Sequence, residues 1–325
     1  MSERDSLHKL RQRHVSGEVP RNDLREVFAG AASSLEEIRA SLKDSMVKSI
    51  LVEEAVMTMT FESGVKLAWL TDDLGSAASV AFSDGAYERE ETALMSALAR
   101  GKKTFLDVGA NVGWFSLHIA QVLDGIEPCV IALEPIERNF ETLKRNIALN
   151  GLESVIRPFN VGAGENAGAM TFTVPSAMPG AASLQQLHPD CASEQQRCTV
   201  ISLDDFLRRE RVSPIDVMKC DVEGAELMVV KGAREMLKRD RPIILFELLR
   251  KWSRAFGYHP NEVFAELLPL GYQAFAIGKG EVRSIAEIDE LTLETNFLFL
   301  CDAHAAELRL IQDFTTLLAP ERSKA

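Results

Sequence analysis

Residues 105–115 read FLDVGANVGWF, and an amphipathic run follows from Trp114 to Leu123. The apolar start carries Asp107, and Gly109, Asn111 and Gly113 come next. That order is a strand, a tight glycine turn and a helix. Such a turn brings bare backbone N–H groups and a helix N-terminus up to a ligand. It is not the dinucleotide fingerprint. A G-x-G-x-x-G pattern needs glycine at position 107 or 111, where Asp107 and Asn111 stand. An acid at the strand end is a poor neighbour for a pyrophosphate and a good one for an ammonium group. The turn therefore favours S-adenosylmethionine, whose amino-acid end carries a cationic amine beside a sulfonium.

Downstream of the turn, strand and helix alternate. Strands are expected at 104–108, 128–133, 154–159, 215–220, 242–247, 271–277 and 295–301, with helices at 113–123, 136–149, 224–238 and 260–269. Alternation of this kind implies an α/β doubly wound sheet, mainly parallel. No long helix separates the last two strands, which predicts a hairpin-connected, antiparallel final strand. Seven strands with that ending fit the Rossmann-like methyltransferase sheet, order 3-2-1-4-5-7-6. An extra strand at 168–174 and a polar loop at 175–198 interrupt the rhythm. A loop of that length inside a compact domain is usually functional or disordered, and a substrate lid is the sharper expectation.

Upstream, residues 1–20 read as a loose leader. Leu24, Phe28, Ala31, Leu35, Ile38, Leu42 and Met46 form one apolar stripe, so 22–50 is expected to be helical. Ser34 and Glu37 offer a capping box that would split it in two. The stripe must bury itself on its own domain or in a homodimer. Residues 54–70 predict two strands around a Ser63–Gly64 turn, and 87–99 a helix. The division expected is a 1–85 extension of helices and β-hairpin, then a catalytic domain over 86–325.

The composition, 46% apolar and 26% charged, is that of a globular protein. No apolar run reaches the roughly 20 residues that span a bilayer. The charged start shows no signal peptide, and the five scattered cysteines form no C-x-x-C pair; both point to the cytoplasm. A net charge of −12 argues against nucleic-acid and membrane partners, despite a locally basic start from Arg4 to Arg25.

Ligands of such sheets sit outside the C-terminal strand ends. Asp107, Glu134, Asn160, Asp221 and Glu247 each close an apolar run there. Glu134 suits two ribose hydroxyls; Asn160 and the Val161 N–H suit an adenine. Asp221 and Glu223 precede a glycine and a helix, where carboxylates also serve as simple caps. Beside Glu247 they make a dense negative pocket, which must raise a pKa, bind a cation or pair with a base. Lys219 shares a face with Asp221 by strand alternation. Ser183 in the long loop, Trp252, Arg254, Tyr258 and His259 are the residues expected to shape an acceptor pocket.

FLDVGANVGWFSL, ALEPIERNFETLKRNIALNG, NVGAGENAGAMTFTV, SLDDFL and IDVMKCDVEGAELMVVKGA together resemble the FkbM family of S-adenosylmethionine-dependent methyltransferases. The resemblance spans roughly 85–300, with KCD where the family more often shows Lys-Ile-Asp. It implies O-methylation of a hydroxyl on a small molecule, often a sugar or natural product. Carried over, Asp107, Gly109, Asn111 and Gly113 hold the methionine end, Glu134 the ribose, and Asn160 and Val161 the adenine. Tyr87 and Glu91 close over the donor, and Asp221, Glu223 and Glu247 face the substrate. Asp221 or Glu247 is the expected general base, with His259 as an outside choice. A variant holds Mg²⁺ on Asp221, Glu223 and Glu247, and spacing does not separate the two. A nucleoside-cofactor oxidoreductase and a non-catalytic S-adenosylmethionine-binding module are the rival classes.

Overall fold

A computed structural model describes residues 7–124, 129–212, 214–278 and 280–318; Arg4 and the first residue of the strand expected at 128–133 fall outside them. The chain opens with helices α1 (Leu7–Val15) and α2 (Arg21–Ser41). Residues 7–15 are thus helical, not a loose leader. Helix α2 runs unbroken, because Ser34 Oγ turns back to the Gly30 carbonyl instead of capping a new helix. It stops at Ser41, earlier than the stripe predicts. Residues beyond it form strand β1 (Val47–Val52), which pairs antiparallel with β2 (Met57–Phe61); β3 (Lys66–Ala68) completes that small sheet. Helices α3 (Ala77–Asp84) and α4 (Arg89–Leu98) lead to the glycine strand.

The main body alternates as expected: β4 (Thr104–Val108), α5 (Trp114–Ala120), β5 (Cys129–Leu133), α6 (Glu137–Leu149) and β6 (Ile156–Phe159). An inserted sheet follows, made of β7 (Gly162–Ala163), β8 (Gly168–Pro175) and β9 (Ser193–Ile201), in the order β7-β9-β8. The last part of the expected 175–198 loop is therefore strand, paired residue by residue along β8. Then come α7 (Leu203–Glu210), β10 (Val217–Cys220), α8 (Glu226–Lys231), α9 (Arg234–Asp240) and β11 (Ile243–Glu247). The expected single helix at 224–238 is broken in two around Gly232, where a side chain would meet the Gly164 carbonyl oxygen at 2.0 Å. Helices α10 (Arg250–Ala255) and α11 (Asn261–Leu267) precede β12 (Tyr272–Gly278), β13 (Glu281–Ile285), β14 (Asn296–Cys301) and α12 (Ala305–Leu318).

The main sheet runs β13-β12-β14-β11-β10-β4-β5-β6. It has eight strands, not seven. The added strand, β13, makes a hairpin with β12, so β14 returns over a longer connection and inserts antiparallel between β11 and β12. Alternate residues of each strand feed two apolar layers. Phe105, Val130, Val217 and Leu245 face α4, α5 and α6; Leu106, Ile131, Met218 and Phe246 face α7, α8, α9 and α11. Val47, Met59, Phe61 and Leu67 of the small sheet belong to the first layer. The core thus runs across residue 85 without a break, whereas α1 and α2 bury no residue.

Candidate active site

The centre of the sheet, where β4 and β10 run parallel, positions the site. Their register sets Lys219 beside Asp107 and Cys220 beside Val108. Asp107 and Lys219 consequently lie on one face, and Cys220 packs into the opposite layer. The chain leaves β4 through Gly109, whose φ of +81° and close approach to the Asp221 backbone exclude a side chain. Gly113 starts α5 in the same left-handed region, at φ +93°.

A cleft opens at these strand ends. Gly109, Asn111, Glu134, Asp221 and Glu223 all line it, so five of the expected residues converge. Gly162, Phe172, Gly180 and Leu184 of the inserted sheet and its loop close the other side. Glu134 accepts hydrogen bonds from the Asn111 and Ile136 backbone N–H groups, both at 2.9 Å. Burial pushes its carboxyl up to about 7. Asp107 is buried and accepts from Ser116 Oγ at 2.6 Å; its other oxygen, Oδ1, is buried without a partner. That orphaned acceptor is what an ammonium group would satisfy.

Lys219 Nζ lies 2.8 Å from Asp221 and 4.9 Å from the Phe115 ring centre. Burial alone would lower its pKa, but Asp221, Glu88 and Asp107 outweigh it and the net shift is upward. Lys219 therefore stays an ammonium ion and acts as counter-charge, never as a proton acceptor. Burial, with Asp221 beside it, pushes Glu247 up to about 10, and its protonated carboxyl hydrogen-bonds Asp221. With that proton retained, Glu247 is the hydrogen-bond donor of the pair. Burial and the neighbouring Asp221 and Glu226 also drive Glu223 well above the usual carboxylate range.

Other expected residues sit beside the cleft or outside it. Asn160 Nδ2 bridges the Glu134 and Pro135 carbonyls at 3.0 and 3.2 Å, and Val161 packs into the second core layer; neither lines the cleft. Glu91 accepts from Asn296 on β14 at 3.0 Å. Tyr87 stacks edge-on against Trp114, 5.3 Å between centres, and bonds Glu88. The Tyr258 hydroxyl sits 3.0 Å from the Gly224 carbonyl and 3.1 Å from Glu226, so it braces the turn after β10 and is not free for an acceptor. His259 is exposed, and its Nδ1 accepts from the Asn261 backbone N–H at the start of α11. Ser183 Oγ donates to the Glu223 carbonyl at 2.7 Å. The proposed Mg²⁺ ligands do not form a set: among the described residues no three His, Cys, Asp or Glu side chains stand together to hold an ion. The donor cleft and the orphaned Asp107 suit S-adenosylmethionine; the acids do not suit a metal.

Two acids escaped sequence reading. Glu88, in a left-handed conformation at φ 40°, leans toward Lys219 and Asp221, and burial pushes it up to about 7. Glu226 receives the Val222 and Gly224 N–H groups at 3.1 and 3.0 Å and fixes the Asp221–Glu223 turn. The signal for Glu88 lay in YEREET, one residue from Tyr87.

The model of the FkbM methyltransferase domain matches residues 107–274, more than half of the chain. The chain belongs to the FkbM methyltransferase family. A methyltransferase of this kind takes its methyl group from S-adenosylmethionine. Methyltransferase sdnD of Sordaria araneosa is 29% identical over 157 residues, covering 40% of this chain and 60% of its own. Methyltransferase 1 of Beauveria bassiana is 28% identical over 144 residues, covering 39% and 57%. The matches span less than two thirds of these curated relatives. A solved FkbM methyltransferase from Methylobacillus flagellatus superposes with a TM-score of 0.40 at 20% identity, over 61% of this chain and 43% of that one. No helix among the described residues is long and apolar enough to cross a membrane.

Proposed function

We propose that this FkbM methyltransferase transfers the methyl group of S-adenosylmethionine to a hydroxyl oxygen of a small molecule, a sugar or a natural-product intermediate. The observation that carries the reading is Asp221, which lines the donor cleft with Lys219 on one side and protonated Glu247 on the other. Asp107 would take the amine of the donor, the glycine turn its carboxylate, and Glu134 its ribose hydroxyls. A hydroxyl oxygen attacks the methyl carbon in line, the carbon–sulfur bond breaks, and S-adenosylhomocysteine leaves with the electron pair. As the new C–O bond forms, the hydroxyl becomes as acidic as an oxonium, so even a weakly basic carboxylate accepts its proton. Asp221 is that acceptor. Positioning then supplies much of the rate, and a base typically adds about 10²–10⁴-fold. Lys219 and Glu247 hold Asp221 in place.

Calorimetric titration with S-adenosylhomocysteine and with NAD, followed by transfer of labelled methyl to a panel of hydroxyl compounds, tests this. Binding of S-adenosylhomocysteine alone and label on oxygen, unaffected by chelator, are expected. Preference for NAD, or binding without transfer to any hydroxyl, would overturn it in favour of an oxidoreductase or a non-catalytic module.

A further inference from the structure

Residues 176–192, joining β8 to β9, lie over the turn that follows β10. Three buried polar atoms without a hydrogen-bond partner belong to the segments that meet there: Glu223 Oε2, Trp252 Nε1 and His188 Nε2. They come from three separate segments. Ser183 ties the loop to the Glu223 carbonyl at 2.7 Å. Trp252 abuts the same turn, since a Cβ on Gly224 would lie 3.2 Å from the Trp252 carbonyl carbon. The His188 ring, carried by the loop, stands edge-on to the Trp252 ring, 6.5 Å between centres.

Each orphaned polar group costs about 1–3 kcal/mol, and buried polar groups are otherwise nearly always paired. Three in one place are explained if a ligand pairs them. We infer that Glu223, Trp252 and His188 form an acceptor subsite, closed by the 176–192 loop, that binds an uncharged molecule through at least two of its hydroxyl groups. This rests on the methyl-transfer reading above.

The chemistry of the three atoms selects the ligand. An indole N–H only donates, while a carboxyl and an imidazole each donate or accept according to protonation. Hydroxyl groups do both, so a polyol can meet all three. A purely apolar acceptor would leave them orphaned. An anion would enter beside Asp221, whose Lys219 partner is already committed to it, while Lys251, 5.3 Å from the Trp252 ring centre, already interacts with Glu223.

The test uses the full chain saturated with S-adenosylhomocysteine and ¹⁵N-labelled at its three tryptophans. Trp252→Phe identifies the Trp252 indole signal by its disappearance. The probes are methyl glycopyranosides and inositol, their phosphates, and cyclohexane. The neutral polyols should shift the Trp252 indole signal and not those of Trp69 or Trp114. His188→Ala should weaken that binding about tenfold or more, and Trp252→Phe, which keeps an aromatic ring but loses the indole N–H and is read by calorimetry, by a similar factor, each equivalent to about 1.4 kcal/mol. The inference is overturned if neutral polyols leave the Trp252 signal unmoved, if the phosphates bind as well, or if His188→Ala binds like the parent. Failure to bind S-adenosylhomocysteine at all would sink the methyl-transfer reading instead, so the two failures are distinguishable.

Discussion

Gly109→Ala should separate the glycine turn from an ordinary tight corner. A Cβ at Gly109 would lie 1.8 Å from the Asp221 carbonyl oxygen, where real Cβ contacts are essentially never under 3.0 Å. The two backbones must then part by about 1.2 Å, which is 3.0 less 1.8. The neighbour cannot rotate aside, because it is main chain and the Asp221 N–H is held to the Val108 carbonyl at 3.0 Å. Left-handed strain adds about 1–2 kcal/mol, and forcing apart a packed contact about 1–3 kcal/mol. The total, about 2–5 kcal/mol, predicts a fall in Tm of roughly 5–15 °C. Displacing Asp221 by about 1 Å should further cost about a hundredfold in turnover. Gly101→Ala is the control: φ is +75° but no atom lies within 4 Å of its Cβ, so it should lose only about 1 kcal/mol and keep S-adenosylhomocysteine affinity. Gly113→Ala should fall between, since its Cβ meets only the tip of Leu143 at 2.6 Å. Thermal unfolding and calorimetry with S-adenosylhomocysteine read all three. If Gly109→Ala matches Gly101→Ala in both, the turn does not abut Asp221 as described.

Asp107→Asn should weaken S-adenosylhomocysteine by roughly 10–100-fold, the worth of a hydrogen bond to a charged group, yet leave an analogue lacking the amine unaffected; equal losses for both ligands would refute the amine contact. Glu134, raised from an ordinary 4.5 to about 7, must ionise to receive two ribose hydroxyls. Affinity for S-adenosylhomocysteine should therefore climb as pH rises toward about 7 and level off above it. Glu134→Gln should flatten that profile, and an unchanged slope would assign it to another group. Glu247→Gln mimics the protonated state and should keep most turnover, whereas Asp221→Asn should lose about 10²–10⁴-fold; the reverse order would make Glu247 the base. Phe28 and Leu35 on α2 are 58% and 63% exposed, so we propose that α2 pairs with a second copy; light scattering should show a dimer that Phe28→Asp with Leu35→Asp converts to monomers, and a persisting dimer would place the interface elsewhere.

The parallel body was legible because its local and long-range signals agree: apolar runs of strand length, amphipathic runs between them, and a polar residue at each strand end. Where two signals competed, the sequence misled. Leu42 and Met46 continue the α2 stripe at helical spacing, but the chain turns at Asp44, φ 64°, and β1 begins, because Val47 can bury in the small sheet. Strand β9 hid in polar residues because its first five positions are left largely uncovered and burial begins only at Cys198. Tyr258 and His259 have the chemistry of site residues, and their helix-cap and turn-bracing partners lie far off in sequence or in backbone groups that no side-chain pattern reveals.

The site itself was legible to the level of which acids gather, and not to the level of which carry protons. Asp221 and Glu247 look equivalent at strand ends, and like charges in contact cannot both ionise. What divides them is company. Asp221 has the Lys219 ammonium at 2.8 Å, while Glu247, without a cation of its own, keeps its proton and donates it in a hydrogen bond to Asp221. Glu88 enters the same balance from another element, sharing Lys219. Burial and three-dimensional neighbours set these protons, and neither is written in spacing along the chain. The pair therefore acts as one unit with a single negative charge, compensated by a single lysine. On the proposed reading, a hydroxyl entering beside it would meet one acceptor instead of a cluster of repelling anions, an arrangement that suits proton removal from an uncharged acceptor.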